Sequence, residues 1–387
     1  MRDARLDKLA EVLVSYSTGV RPGQIVAINA DPFAFDLIEA IYERVLRAGA
    51  HPQVFARIES LDEILLRVGN EAQLDHVSPF DLHRTQTADV YIGLWVERNT
   101  RELSAIDPAR QARRDAARKP IMKSFMERTS RGELKWVGTL YPTHASAQDA
   151  EMSLHAYEDF VFRAGLLHLD DPAAAWQRIA RRQQAVCDWL AGKSELHFRA
   201  PATDTHDGTD LHVNVDPARS VWINCAGTEN FPDGEVFTGP QSVDGHVNYT
   251  YPAVHNGREV TGIRLAFRDG RVVDASADKN EAFLHEMLDM DAGARTLGEI
   301  AIGTNYAIRG FTRNTLFDEK IGGTFHAAVG AGYPESGSSN ESGLHWDMVC
   351  DLRPADGRPG GTIAADGEVF HRDGRFLNPE WPAPEAD

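Results

Sequence analysis

The chain has 387 residues, which is long for one hydrophobic core, so two domains are expected. Its 58 acidic against 40 basic side chains leave a net charge of −18, which argues against a nucleic-acid partner, since phosphates call for a basic face. Hydrophobic residues make up 42%, enough for sizeable cores, yet no stretch reaches the roughly 20 consecutive apolar residues of a membrane span.

The N-terminus, MRDARLDKLAEVLVSYS, reads as an amphipathic helix over 5–18 with Leu6, Leu9, Ala10, Leu13 and Val14 on one face. It has charges where an export signal would have an apolar run, so a cytoplasmic protein is expected. A strand over 25–28, a helix over 35–48 and a strand over 52–58 follow with short connections, which predicts a parallel pair with a right-handed crossover. A helix over 61–68, a buried strand over 88–96, helices over 108–118 and 120–128, and a strand over 134–140 continue the alternation expected of an open α/β sheet. Helices over 145–165 and 171–190 close this half. The second carries the basic run RIARRQQ, read as a solvated face. No phosphate loop or Gly-x-Gly-x-x-Gly follows any strand, so no nucleotide site is expected here.

From about residue 192 the pattern changes to short strands, over 195–199, 210–215, 220–224, 247–251, 262–268 and 270–275, with one helix over 280–290. Turns are expected at 255–257 (HNG) and 268–270 (RDG). The predicted organisation is an N-terminal open α/β domain, residues 1–190, and a C-terminal strand-rich α+β domain, residues 191–387, that carries a metal site. The three cysteines, Cys187, Cys225 and Cys350, lie far apart and read as reduced core residues rather than disulfides or zinc ligands.

Chemistry-bearing residues concentrate in four motifs of the second half. In NFPDGEVFTGP a Pro-Asp-Gly turn launches Glu235 before an apolar pair. In LGEIAIGTN, period-2 alternation puts Ile300 and Ile302 on one strand face and Glu299 with Ala301 on the other; a glutamate there needs a metal or an ion-pair partner such as Arg295 or Arg309. In DEKIGGTFHAAVG, Glu319 precedes His326, which lies among small residues. In HWDMV, His345 and Asp347 sit two apart, on one face if the segment is a strand. No comparable set of lysines or arginines stands ready to neutralise these carboxylates. Carboxylates clustered with imidazoles and no thiolate suit Zn²⁺, Co²⁺, Mn²⁺ or Fe²⁺. Six donors exceed the needs of one tetrahedral ion and point to a two-metal site. Neutral imidazoles are required, so ligand capacity is expected to decline below about pH 6.5.

Taken in this order, the four motifs, with the N-terminal helix and the RPGQIVAINA strand, resemble the aminopeptidase T family of thermophilic-type dinuclear metallo-aminopeptidases. The resemblance implies two domains, a homodimer, two divalent ions (Zn, Co or Mn) and hydrolysis of N-terminal residues from peptides through a bridging water. It implies Glu235, Glu299, Glu319, His326, His345 and Asp347 as ligands, Glu299 as the bridge, and Tyr333 as the catalytic tyrosine. Two rivals use the same stretch. His326, His345 and Asp347 alone would form the facial set of a mononuclear non-haem iron ring-cleaving dioxygenase, of the dihydroxypyridine dioxygenase type. A non-enzymatic peptide-binding dimer is the other, and buried carboxylates kept together argue against it.

Overall fold

The computed structural model describes residues 2–255, 257–355 and 358–384. The chain forms two compact units, Met1–Ala174 with Gly227–Pro232 and Ala175–Ala226 with Asp233–Asp387. The strands are, in chain order, β1 (Ile25–Ala30), β2 (His51–Ala56), β3 (Val90–Trp95), β4 (Lys135–Leu140), β5 (Glu195–Ala200), β6 (Thr209–Asn214), β7 (Ile223–Cys225), β8 (Asn230–Phe231), β9 (Glu235–Thr238) and β10 (Ser242–Asn248). After these come β11 (Ala253–His255), β12 (Arg258–Val260), β13 (Arg264–Arg268), β14 (Arg271–Ser276), β15 (Leu297–Gly303), β16 (Thr324–Gly330), β17 (His345–Asp351), β18 (Thr362–Ala365), β19 (Glu368–Arg372) and β20 (Arg375–Phe376).

The first unit is a parallel five-stranded sheet, in the order β2-β1-β3-β4-β8. Its central strands bury Val26, Ile28, Val90, Ile92 and Val137, as expected of strands covered on both faces. The first helix is α-helical over Ala4–Glu11 and continues as a π-helix over Val12–Ser17. The two helices expected over 108–128 are a single helix, Pro108–Ser130, with Pro120 inside it. Ala116 and Pro120 are both exposed, so the carbonyl deprived of its donor can turn to water. The single helix expected over 145–165 is two, His144–Asp149 and Leu154–Ala164; the second starts where the Ser153 hydroxyl accepts the Ala156 N–H.

The second unit is built around two large antiparallel sheets, with a two-stranded antiparallel pair, β11-β12, beside them in the chain. One is eight-stranded, β14-β13-β10-β6-β5-β18-β19-β20; the other is five-stranded, β17-β16-β15-β9-β7. They share one core, in which Phe198 of β5 meets Phe325 of β16 with ring centroids 4.5 Å apart. The expected RDG turn joins β13 to β14, with Asp269 and Gly270 both at positive φ as a two-residue hairpin loop demands. Of the turn expected at 255–257, Asn256 lies outside the described residues. The strand expected over 247–251 runs earlier, as β10. Among the described residues no helix is long and apolar enough to cross a membrane.

Candidate metal centre

The five-stranded sheet reads differently on its two faces. Ile300, Ile302, Phe325, Ala327, Val329, Trp346, Met348 and Val236 point into the shared core. The alternate positions carry the polar set. Register aligns Glu299 with Ala328 and Asp347, and Ala301 with His326 and Val349; it also pairs Gly303 with Glu235 and Gly330 with His345. Residues directly opposite each other share a face, so Glu235, Glu299, His326, His345 and Asp347 converge on one side. Ala301, Ala328, Gly303 and Gly330 between them leave room for that convergence. Gly330 is also sterically required: it sits at φ +101°, and a Cβ there would lie 2.1 Å from the Leu344 carbonyl oxygen.

His326 is fully buried, with its Nε2 3.2 Å from Glu299 Oε1, 3.6 Å from Glu235 Oε2 and 3.8 Å from Asp347 Oδ1. His345 Nε2 lies 3.4 Å from Asp347 Oδ2. Both imidazoles are oriented from behind by backbone carbonyls: His326 Nδ1 donates to Glu319 O at 3.0 Å and His345 Nδ1 to Ala331 O at 2.7 Å. A donating Nδ1 leaves Nε2, in the neutral ring, as a lone-pair donor aimed at the carboxylates, the tautomer a metal ligand needs. Donor atoms of Glu299, His326 and Asp347 fall within 4.8 Å of one another. Glu235 Oε2, Glu299 Oε2 and Asp347 Oδ1 are buried with no hydrogen-bond partner among the described residues. Three orphaned anionic oxygens around two presented imidazoles are a poor arrangement for a closed core and a fitting one for divalent cations.

Glu319 also reaches this cluster, though not from the sheet. It follows the short helix Thr315–Asp318 and contacts Lys320 Nζ through its Oε1. Tyr333 stands at the rim, 42% exposed, with its ring edge-on to His345 at 5.4 Å and to Phe237 at 5.7 Å. Partial burial, and then the Glu299 and Asp347 charges, raise the Tyr333 hydroxyl further above its ordinary range, so it stays protonated. All seven residues singled out in the sequence therefore lie in one neighbourhood.

Two residues were overlooked in the sequence. Lys320 is wholly buried, with its Nζ 2.9 Å from Glu235 Oε1, against Glu319, and 3.8 Å from Asp233 Oδ1. The expectation that no cation attends these carboxylates is thus wrong for Glu235 and Glu319. The signal was the lysine adjoining Glu319 inside a glycine-rich, otherwise apolar stretch. For Glu299, one of the two arginines considered in the sequence, Arg295, pairs instead with Asp289 at 2.8 Å. Gln183 belongs to the run read as solvated, yet it is fully buried. Its side-chain amide donates to the carbonyls of Cys225 and Glu235, each at 2.9 Å, and its carbonyl accepts from Thr304 Oγ1 at 3.0 Å. It thereby ties β7 to β9 at the position of Glu235, while Arg178, Arg181, Arg182 and Gln184 around it remain exposed.

The protonation states also depart from expectation. Burial pulls the His326 pKa down, but the Glu299 hydrogen bond and the charges of Glu235 and Asp347 outweigh it and lift it to about 9. His345 rises to about 10 in the same way, against its burial, through Asp347 and Glu299. Burial raises Glu299 and Glu235, opposed by His326 and by Lys320 respectively. Asp347 is pushed up by burial but held at about 2 by the two histidines and Lys320. Without metal, competition between proton and metal therefore extends well above the pH 6.5 of an ordinary histidine.

A small open cleft lies beside the cluster, lined by the polar Arg313, Asp318, Glu319 and Asp347 and by the apolar Pro252, Ala253, Val254 and Phe311.

The chain is similar to known proteins along nearly its whole length. The sequence pattern of a family described as thermophilic metalloprotease (M29) matches residues 2–376. The chain is 29% identical to Aminopeptidase 2 of Geobacillus stearothermophilus, over 90% of this chain and 92% of that one. It is 28% identical to Aminopeptidase T of Thermus aquaticus, over 87% of each. The solved structure of wild-type AmpT from Thermus thermophilus superposes with a TM-score of 0.83 at 25% identity, covering 97% of this chain and 99% of that one. None of these similarities points to a ring-cleaving oxygenase.

Proposed function

The chain belongs to the thermophilic metalloprotease (M29) family and is a metal-dependent peptide hydrolase, and from that premise we propose that it removes N-terminal residues from peptides with two divalent ions held by Glu235, Glu299, Glu319, His326, His345 and Asp347. The observation that carries this reading is the set of three buried carboxylate oxygens, without hydrogen-bond partners among the described residues, facing two imidazoles on one sheet face. Six donors suit a pair of ions, and Glu299, central among them on β15, would be the carboxylate that both share. Zn²⁺, Co²⁺ and Mn²⁺ all fit a nitrogen and oxygen donor set without sulfur.

Bound ions would supply Lewis acidity and a water of lowered pKa. The protein's own groups do the rest. The protonated Tyr333 hydroxyl, at the rim beside His345, donates a hydrogen bond to the oxyanion that develops on the scissile carbonyl. A carboxylate of the acidic site, from Glu319, which lines the cleft, or from Glu235, holds the free α-ammonium, which restricts cleavage to the first peptide bond. The apolar walls receive the side chain of the departing residue. The backbone carbonyls of Glu319 and Ala331 keep both imidazoles turned inward throughout. A homodimer in the cytoplasm is part of the same proposal.

Replacing Glu299 by Gln tests it. The expected outcome is loss of bound metal by elemental analysis together with loss of aminoacyl-anilide turnover. Full activity with two ions retained would overturn the assignment.

A further inference from the structure

A second cluster of metal-binding side chains lies on the outward face of the eight-stranded sheet, where the central cluster has no part. On β5 and β6, register sets His197 opposite His212, and Asp210 precedes His212 by two residues on the same face. His197 Nε2 lies 2.5 Å from Asp210 Oδ1, and His212 Nε2 lies 3.7 Å from the same oxygen. One donor atom from each of the three falls within 4.8 Å of the others. The imidazoles stack with centroids 3.9 Å apart and planes 20° off parallel.

A second observation gives the cluster direction. Glu195, on β5, accepts from His212 Nδ1 at 2.7 Å. That bond fixes the ring and its tautomer and leaves Nε2 facing Asp210. A carboxylate behind an imidazole is the outer support that metal-ligating histidines characteristically have. Beyond these pairings, His197 Nε2 and His212 Nε2 both face one carboxylate oxygen, Asp210 Oδ1, a nitrogen and oxygen donor set that a divalent ion can share.

We propose that His197, Asp210 and His212 form a second divalent-metal site, completed by water and supported by Glu195, that clips β5 to β6. Two imidazoles and one carboxylate suit Zn²⁺, and also Cu²⁺, Ni²⁺ or Co²⁺. Zinc–ligand distances of about 2.0–2.1 Å require the Asp210–His197 contact to widen and the Asp210–His212 gap to close slightly. Loading also turns the rings out of their stack, because a metal lies in the plane of each imidazole. Both changes are side-chain rotations on strands already locked by backbone pairing. The site is independent of how the central cluster is read.

The test is a difference between full-length proteins. Wild type, His197→Gln and His212→Gln are loaded at the central site, then dialysed against the same buffered micromolar free Zn²⁺, and zinc is counted by elemental analysis. Wild type is expected to hold one more zinc per chain than either variant, with peptide turnover equal in all three. Glu195→Gln keeps the extra zinc but binds it about tenfold more weakly. Zinc should also raise the melting temperature of wild type more than that of the histidine variants. Equal zinc content in wild type and both variants would overturn the proposal. Loss of turnover alongside the extra zinc would overturn it too, because the ion would then belong to the central site. The subtraction holds whatever number of ions the central cluster takes.

Discussion

Lys320 Nζ lies 2.9 Å from Glu235 Oε1, so the candidate metal centre contains its own buried cation. Wholly enclosed, Lys320 stays charged: burial opposes its charge, but the carboxylates of Glu235, Glu319 and Asp233 prevail and raise its pKa. It offsets part of the carboxylate charge before any metal arrives.

Lys320→Met should therefore destabilise the metal-free protein by about 3–5 kcal/mol, the range for removing one partner of a buried ion pair. Divalent ions should restore much of that loss. Denaturant unfolding with and without saturating metal checks this. An equal loss in both states would mean that the lysine serves packing alone.

Metal loading should release protons. At about pH 7.5, below the metal-free values of about 9 for His326 and about 10 for His345, both rings are protonated, and each must become neutral to bind. About two protons per chain should leave when both histidines become ligands, falling towards none as pH rises through those values. Apparent metal affinity should accordingly keep rising across neutral pH. Titration calorimetry in buffers of different ionisation enthalpy measures the release directly.

The cleft walls should set side-chain preference. Val254→Phe puts a larger side chain on the wall of the cleft. It should lower kcat/KM by about tenfold for bulky N-terminal residues while sparing alanine, with metal content unchanged. A panel of aminoacyl-anilides checks this; a uniform drop across the panel would place the substrate side chain elsewhere.

Away from the site, His371 should make stability depend on pH. It is fully buried on β19, neither ring nitrogen has a hydrogen-bond partner among the described residues, and burial lowers its pKa to about 3. The unfolded chain takes up a proton near pH 6.5 while the native ring does not. The neutral ring's contribution is thus fully present above pH 6.5 and is lost as pH falls from there towards 3. Between pH 7 and 5 the loss amounts to about 2 kcal/mol. His371→Phe should flatten that part of the profile, measured as urea midpoints at the two pH values.

The core-facing half of this architecture was legible because alternation is local. Ile300 and Ile302 against Glu299 and Ala301 can be read from seven residues, and the strand of His345 and Asp347 from three. Lys320 and Gln183 were not legible in this way. A buried lysine and an exposed one have the same neighbours in sequence, and what buries Lys320 is Glu235, 85 residues away. Gln183 sits among arginines that do face water, and only its β7 and β9 partners distinguish it. Helix boundaries failed for a different reason: Pro120 costs a helix one hydrogen bond, and solvent at an exposed turn can replace it.

The alternation in β15, β16 and β17 has a consequence for how this protein can vary. Within each strand, core and reactive face take alternate positions: Ile300 and Ile302 against Glu299, Phe325 and Ala327 against His326, Trp346 and Met348 against His345 and Asp347. A single residue inserted within any of these strands would exchange the two sets beyond that point, driving carboxylates into the hydrophobic interior and isoleucine or phenylalanine towards the candidate metal centre. Stability and catalysis would then fail together. Sequence drift in this region is thereby confined to substitutions that respect parity. Changes of length are left to the connections, such as the stretch between Tyr333 and His345, where the count of residues does not decide which way a side chain points.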